Sequence, residues 1–202
     1  QGRGRLGHQK DAHVVDERSG SFRLFFDMQW RPLSQAVSFG HDIEGAWLLA
    51  AAARAVGDPE LVVRCEQAAV TMAAGVRTRG RDQSGAILYE YRPPANGRPA
   101  EWDPRSHWWV QAEGAVGFLE AYRITGQHRY LSAAEDCWTF IEDHHVDRAH
   151  GDWFKVLEAD GAPSPSVPKV GPWECPYHHV RACLEIIQRM PARALEQERT
   201  SP

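Results

Sequence analysis

The sequence SFGHDIEGAWLL, residues 38–49, opens an Ala- and Leu-rich run that has the composition of a buried helix. His41 and Glu44 are three residues apart, so they lie on the same face of that helix. Two ionisable side chains at the start of an otherwise apolar helix are costly to bury unless they are paired or used in chemistry. This stretch by itself leaves two interpretations open: a histidine acid or base steered by its neighbour, or a core histidine with satisfied hydrogen bonds.

The same pattern recurs farther along the chain at a spacing of 69 residues. Glu113 follows Glu44 at this distance, and His178 follows Trp109 at the same distance. An internal repeat decides the fold before any local pattern does, because each copy is one structural unit. The chain is therefore predicted to be a helical-hairpin repeat of two and a half copies.

The boundaries of the helices follow from capping and turn residues. Asp58 and Pro59 have the order expected of a helix start, and Gly57 and Gly126 stand where a helix ends. Short strand-like stretches are predicted at 22–30, 85–91 and 151–157. The predicted helices cover residues 42–56, a second run from residue 59, residues 108–125, a run marked by apolar residues 130–141, and residues 177–189.

Stacked helical hairpins form either an open solenoid or a closed toroid. In a toroid, the first helix of each pair lines the inside, and the N-terminal ends of these helices surround one mouth. His41, Trp108 or Trp109, and His178 all stand at the start of a first helix. The repeat thus predicts two imidazoles and an indole facing one cavity. We predict an all-α fold with short β-hairpins in the loops, a single domain over residues 1–202, and a poorly ordered or boundary segment at 1–20.

Composition excludes several classes of function. The length of 202 residues fits one domain or one large half of a bigger one, and 43% hydrophobic residues are enough for a real core. Its net charge of −4, with no basic block, argues against a nucleic-acid partner, and no run of about 18 apolar residues could span a membrane. The four cysteines lack C-x-x-C spacing, and no signal-peptide pattern is present, which favours a reducing, cytoplasmic location.

Two imidazoles across a cavity with aromatic walls suit the removal and return of a proton next to a carbonyl. One histidine takes a proton from one face of the carbon, and the other delivers a proton to the opposite face. No metal-ligand spacing accompanies them, so no metal is expected. His144 and His145, with Asp143 and Asp147, resemble a metal cluster but lie at a helix end, where a solvated position is predicted.

Three motifs resemble the signatures of cellobiose 2-epimerases, which belong to the N-acylglucosamine 2-epimerase superfamily. They are SFGHDIE at 38–44, WWVQAE at 108–113 and GPWECPYH at 171–178. The resemblance implies an (α/α)6 barrel, of which residues 22–190 correspond to the second half. It also implies a cofactor-free reaction that inverts C2 of the reducing-end sugar of a β-1,4-linked disaccharide. Glucose and mannose are interconverted there through ring opening and a cis-enediol.

The resemblance also implies roles for individual residues. His41 and His178 would be the acid/base pair, and Glu44 would support His41 and the substrate. Gln111 and Glu113 match the second motif without an assigned role. Sugar-binding walls would come from Trp47, Trp108 or Trp109, and Trp173.

The length of the chain departs from this family. Six hairpins of 69 residues need roughly 414 residues, about twice the 202 present. The family's first half supplies an arginine and another histidine that have no counterpart here. A second chain or a homodimer would have to complete the site, or the chain is a catalytically incomplete fragment. A carbohydrate-binding or scaffold protein is the alternative function. The true sugar, and epimerisation versus aldose–ketose isomerisation, stay open.

Overall fold

The computed structural model describes residues 14–16, 18–95 and 97–190. Helices dominate this part of the chain, and the strands are two or three residues long. The predicted all-α class with short β-hairpins in the loops is confirmed. The elements in chain order are β1 (Val15–Asp16), β2 (Ser21–Phe22), β3 (Val37–Ser38), α1 (Phe39–Val56), α2 (Pro59–Arg79), β4 (Glu90–Arg92), β5 (Glu101–Trp102), β6 (Ser106–His107), α3 (Trp108–Thr125), α4 (His128–Phe140) followed by a π-helical turn (Ile141–His145), β7 (Val156–Leu157) and α5 (Tyr177–Arg189).

The first residues of three helices are spaced by the 69-residue repeat. Helices α1, α3 and α5 begin at Phe39, Trp108 and Tyr177, each 69 residues after the one before. Both α1 and α3 are 18 residues long and end at a glycine with positive φ, 77° at Gly57 and 68° at Gly126. Glycine adopts this left-handed conformation without a Cβ penalty, which explains why both helices end at the equivalent residue.

The first helices of the repeats form one packed row. Helix α3 lies between α1 and α5, while α2 packs on α1 and α4 packs on α3. Because α3 has neighbours on so many sides, it is apolar nearly all round, and two thirds of its residues are buried. Among the described residues, no helix combines the length and apolarity needed to cross a bilayer. The cytoplasmic location stays a prediction.

The strands are shorter than the sequence predicts. In place of the strands expected at 85–91 and 151–157, only Glu90–Arg92 and Val156–Leu157 form ladders, with isolated bridges beside them. Strands β4 and β7 pair with β3 and β6, the two-residue segments directly before α1 and α3. Pairing is confined to these short segments because the chain turns into a helix immediately afterwards.

The N-terminal segment predicted at 1–20 falls mostly on residues that the structure does not describe. Its final part is described, and Val15–Asp16 pairs with Ser21–Phe22 as an antiparallel hairpin. The stretch 22–30, predicted as a strand or an extended segment, contributes only Phe22 to that ladder and an isolated bridge at Phe26. Helix α1 begins at Phe39, three residues earlier than expected.

Gly117 marks the closest approach of α3 to α1. A Cβ at this position would lie 2.7 Å from the carbonyl oxygen of Ile43 and 2.6 Å from its Cγ1. Because a backbone atom cannot move aside, Gly117→Ala is expected to lower the free energy of unfolding by about 1–3 kcal/mol, measured by urea denaturation. At Gly114 the methyl would meet the flexible end of Ile87, so Gly114→Ala should cost less. Equal losses in the two variants would contradict this packing argument.

Candidate active site

His41 lies in the first turn of α1 with its side chain exposed. Its Nδ1 shares a 2.7 Å hydrogen bond with the hydroxyl of Ser38, the buried residue that precedes the helix. The imidazole also contacts the Trp109 indole edge-on, with 5.0 Å between the ring centroids. Ser38 therefore orients the ring through Nδ1, and Nε2 is left for a ligand.

His178 lies in the first turn of α5, and its imidazole is paired with a buried carboxylate. Its Nδ1 is 2.7 Å from Oε1 of Glu113 and 4.0 Å from Oε1 of Glu44. A carboxylate only accepts hydrogen bonds, so Nδ1 carries the proton and Nε2 is the basic nitrogen of the neutral ring. The side chain of His178 is 22% exposed, which leaves a path to that nitrogen.

The two imidazoles share one aromatic neighbour. Trp109 lies 5.0 Å from the ring centroid of His41 and 5.3 Å from that of His178. The separation of the two imidazoles is therefore no more than the sum of these distances, although the residues are 137 positions apart in the sequence. The structure brings together the three groups that the repeat predicts at one mouth.

Glu113 and Arg181 complete the polar part of the site. Glu113 is fully buried and accepts hydrogen bonds from the Trp47 indole nitrogen at 2.9 Å and from Arg181 Nη2 at 2.5 Å. The same Nη2 donates to Glu44 at 2.6 Å. The sequence contained a signal for Glu113, because it occupies the repeat position of Glu44. Arg181 had no such signal, and sequence reasoning missed it.

The four tryptophans proposed as sugar-binding walls occupy different environments. Trp109 is partly buried and contacts both imidazoles. Trp47 and Trp108 are only 4% and 5% exposed, so they lie behind the site rather than on its surface. Trp173 is 83% exposed on the segment that precedes α5. Of these rings, Trp109 is the one placed to stack on a ligand held between the histidines.

One group of side chains has the composition of a metal site. Ligand atoms of Glu44, Glu113 and His178 lie within 4.8 Å of one another. The Arg181 guanidinium, however, already donates to both carboxylates and supplies positive charge at that point. The absence of a metal stays a prediction from the sequence.

Gln111 has a structural role behind the site. Its side-chain amide donates to the carbonyl of Ile87 at 2.7 Å, and its side-chain oxygen accepts from the Ile87 backbone nitrogen at 2.9 Å. It also donates to the Ser106 hydroxyl at 3.3 Å. Gln111 therefore ties the loop after α2 to the first turn of α3, on which Trp109 lies.

The solvated helix end predicted around residues 143–147 is wrong for His145 and Asp147, which are buried, and holds for His144, which is exposed. The π-helical turn after α4 directs His145 inward. There its Nδ1 is 2.7 Å from the carbonyl oxygen of Phe154, and its Nε2 is 3.1 Å from the Ser106 hydroxyl. The imidazole thus joins the hydrogen-bonded network that supports the start of α3.

Acid is expected to destabilise the chain through its buried histidines. Burial lowers the pKa of both His107 and His145 from 6.5 to about 4. The unfolded chain therefore binds more protons, so their stabilisation is complete above pH 6.5 and is lost as the pH falls towards 4. Burial raises the pKa of Asp42 from 3.8 to about 6, which opposes part of this loss.

Urea denaturation at pH 7 and pH 5 measures this effect. The wild type should lose about 1–3 kcal/mol between these values, and His145→Gln should lose less. A variant with the same pH dependence as the wild type would contradict the assignment to His145.

Comparison with known proteins places this geometry in a family. The chain is 39% identical over 174 residues to the cellobiose 2-epimerase of Bacteroides fragilis, covering 86% of this chain and 43% of that protein. The crystal structure of a sugar epimerase from a ruminal bacterium superposes with a TM-score of 0.84 at 30% identity, covering 93% of this chain and 47% of that one. The cellobiose 2-epimerase of Bacillus thermoamylovorans gives a TM-score of 0.79 at 33% identity, with coverages of 93% and 47%.

The chain spans about half the length of the curated relatives that it matches. The structural neighbours are (α/α)6 barrels, so the predicted half of such a barrel is confirmed. Residues 6–182 match the sequence profile described as N-acylglucosamine 2-epimerase (GlcNAc 2-epimerase). With its hairpin repeat, its paired imidazoles and this match, the chain belongs to the N-acylglucosamine 2-epimerase family.

Proposed function

We propose that this chain carries the acid/base pair of a sugar 2-epimerase. The reaction interconverts glucose and mannose at the reducing end of a β-1,4-linked disaccharide such as cellobiose. The observation that carries the proposal is the placement of His41 and His178 against the single indole of Trp109, each with Nδ1 engaged in a hydrogen bond. Each imidazole therefore offers Nε2 to a ligand that lies over the indole.

The proposed chemistry needs only proton transfers. In the open-chain aldose, Nε2 of one neutral imidazole removes the C2 proton, and the electron pair moves to give the cis-enediol as O1 takes up a proton from water. The other imidazole, protonated, returns a proton to the opposite face of C2 while O1 loses its proton. Ring closure then yields the epimer.

The carboxylates give the two histidines different support. Glu113 accepts the Nδ1 proton of His178 and stabilises the imidazolium that forms when Nε2 takes a proton. His41 has a neutral hydroxyl partner, Ser38, at the same position. Glu44 has an exposed edge beside His41, where its oxygens can accept hydrogen bonds from sugar hydroxyls.

A groove of about 760 Å³ runs beside α1 and reaches one of the two histidines. His41, Glu44 and Tyr89 are among its lining residues, whereas His178 and Trp109 are not. Pockets of roughly 300–1,000 Å³ hold ligands of disaccharide size. Trp109 would form the wall nearest C2, Trp47 and Trp108 would hold the site from behind, and Trp173 would contribute an outer wall.

Conversion of cellobiose to glucosyl-mannose tests the proposal. The chain is incubated with cellobiose alone and together with a polypeptide corresponding to the first half of the full-length relatives, and products are separated by chromatography. Product is expected from the reconstituted pair, because the two polypeptides together span the length of the relatives that this chain matches. The absence of product in the reconstituted pair would contradict the proposal. Formation of glucosyl-fructose would indicate aldose–ketose isomerisation through the same enediol.

A carbohydrate-binding or scaffold role is the second candidate. The observation that favours it is an apolar face of α5 that includes Val180, Leu184 and Ile187, which are 48%, 56% and 63% exposed. Such a face is typical of a surface that another protein covers. Calorimetric binding of cellobiose by the reconstituted pair without turnover would favour this role.

A further inference from the structure

Residues 151–157 connect the starts of α3 and α5, the helices that carry Trp109 and His178. Near one end of this segment, the backbone carbonyl of Lys155 accepts a hydrogen bond from the backbone nitrogen of Trp108, the first residue of α3, at 3.0 Å. Strand β7 then pairs with β6, which lies directly before the same helix. This end of the segment is therefore fixed to the first turn of α3.

The other end of the segment contacts the first turn of α5. Oδ1 of Asp152 lies 3.1 Å from Nε2 of His179, and Trp153 stacks on the same imidazole with 5.0 Å between the ring centroids. Within the described part of the chain, no side chain caps the start of α5, and the two buried residues of this helix are His179 and Ala182. Because His179 is adjacent to His178, its contacts determine where the first turn of α5 lies.

The Lys155 side chain joins the two ends of the segment. Its Nζ donates to both carboxylate oxygens of Asp152 at 3.1 Å and lies 5.6 Å from the centroid of the Trp108 ring. The side chain is 0% exposed, so its charge needs the Asp152 partner. Asp152 has a φ of 59°, a left-handed conformation that persists where the surrounding contacts determine it. The ion pair thus directs the Asp152 carboxylate towards His179.

We propose that residues 151–157 clamp the first turn of α5 to that of α3, and that His179 is the positioning residue through which this clamp places His178. The His178 imidazole is thereby held against Trp109 and Glu113. His179 acts through the helix backbone and is not among the residues that line the groove beside α1. This inference rests on the function proposed above, because the exact placement of His178 affects turnover only if it transfers a proton.

His179→Phe tests the clamp because it removes one contact and keeps the other. A phenyl ring can still stack on Trp153, but it has no nitrogen to face Asp152, whose charge stays paired with Lys155. His179→Gln is the complementary variant. Its amide nitrogen lies about as far from the backbone as Nε2 does, so it can keep the polar contact with Asp152.

The nuclear Overhauser contacts between His178 and Trp109 report the placement of His178 in the 202-residue chain, without turnover. The two rings are 5.3 Å apart between centroids in the wild type, and His178→Gln assigns the resonances by their loss. In His179→Phe these contacts should weaken, and the imidazole resonances should shift because the indole ring current acts over a short range. His179→Gln should show contacts near those of the wild type. Unchanged contacts in folded His179→Phe would overturn the inference, even if this variant is less stable.

In the reconstituted enzyme, His179→Phe should lower kcat for cellobiose by roughly 10–100-fold, because misplacement by about 1 Å costs on the order of 10²-fold. The KM should stay near that of the wild type, since the groove beside α1 is not altered. His179→Gln should recover most of kcat. Failure of the wild type to turn over cellobiose, with the His178 contacts responding as expected, would contradict the proposed function alone.

His150→Phe is the matched control. His150 lies in the loop just before the segment, with its Nδ1 3.3 Å from Asp147, and its side chain is 82% exposed. Its replacement should change neither the His178 contacts nor kcat. An effect equal to that of His179→Phe would mean that the clamp does not place His178.

Lys155→Met provides a second measurement if His179→Phe does not fold. Methionine fills the space of the lysine stem, and Asp152, whose side chain is 33% exposed, can bind water in place of the ammonium. The carboxylate is then no longer directed at His179, so the contacts between His178 and Trp109 should weaken. Contacts as strong as those of the wild type in Lys155→Met would contradict the clamp.

Discussion

Replacing His178 with alanine in the reconstituted enzyme is expected to reduce turnover of cellobiose by roughly 10²–10⁴-fold, the usual contribution of a positioned acid or base. The loss should fall on kcat, because the stacking surface of Trp109 and the groove beside α1 remain. His41→Ala should have an effect of similar size for the same reason. Steady-state kinetics with cellobiose measure both variants.

Solvent exchange separates the two histidines. In D₂O each imidazole should exchange the C2 proton from its own face of the sugar, so a variant with one histidine should label one epimer without inverting it. His144→Ala is the control, because His144 is exposed and lies in the π-helical turn after α4. Inversion at a normal rate in His41→Ala or His178→Ala would rule out the two-imidazole mechanism.

Replacing Glu120 with glutamine is expected to produce the largest loss of stability, about 3–5 kcal/mol in the free energy of unfolding by urea denaturation. Glu120 is 1% exposed and accepts hydrogen bonds from Arg54, Arg123 and Arg189, one from each of α1, α3 and α5. A neutral amide would remove the buried charge, and the three guanidinium groups around it would keep only their more exposed partners, Glu66 and Glu185. Helices α1, α3 and α5 would then lose the carboxylate that pairs with an arginine from each of them.

Glu66→Gln is the control for this prediction. Glu66 pairs with Arg54 and Arg123, but its side chain is 25% exposed, so water can replace the lost charge. Its loss should be about 1 kcal/mol or less. Equal losses at Glu66 and Glu120 would show that burial of the carboxylate does not determine the cost.

Much of the architecture could be predicted from the sequence, because the residues that set the helix boundaries act locally. The 69-residue repeat, the capping pair Asp58–Pro59 and the helix-ending Gly57 and Gly126 predicted the hairpins, and α3 and α5 were predicted with their observed bounds. The same register placed His41 and His178 at the starts of inner helices. In a toroid, helix starts separated by one repeat length come to the same mouth, so the repeat predicted that these two residues would lie close together.

The polar centre of the site was decided by the tertiary structure. Consecutive residues on a helix point about 100° apart, so the sequence left open which of Trp108 and Trp109 would face the histidines. The packing of α3 between α1 and α5 buries Trp108 and presents Trp109. The same packing brings Arg181 against Glu113. The position of Arg181 in the repeat does not predict this contact.

At the end of α4, too, the tertiary structure decided which side chain is buried. His145 was expected in water, but the π-helical turn directs it into the core, against the carbonyl oxygen of Phe154. Capping residues act on the helix end beside them, and the repeat gives the position of the next helix start. The sequence by itself therefore determined where the helices begin and which histidines lie in their first turns. The distances between side chains of different helices depend on how those helices pack, and only the tertiary structure determined that His178 is paired with Glu113 and Glu113 with Arg181.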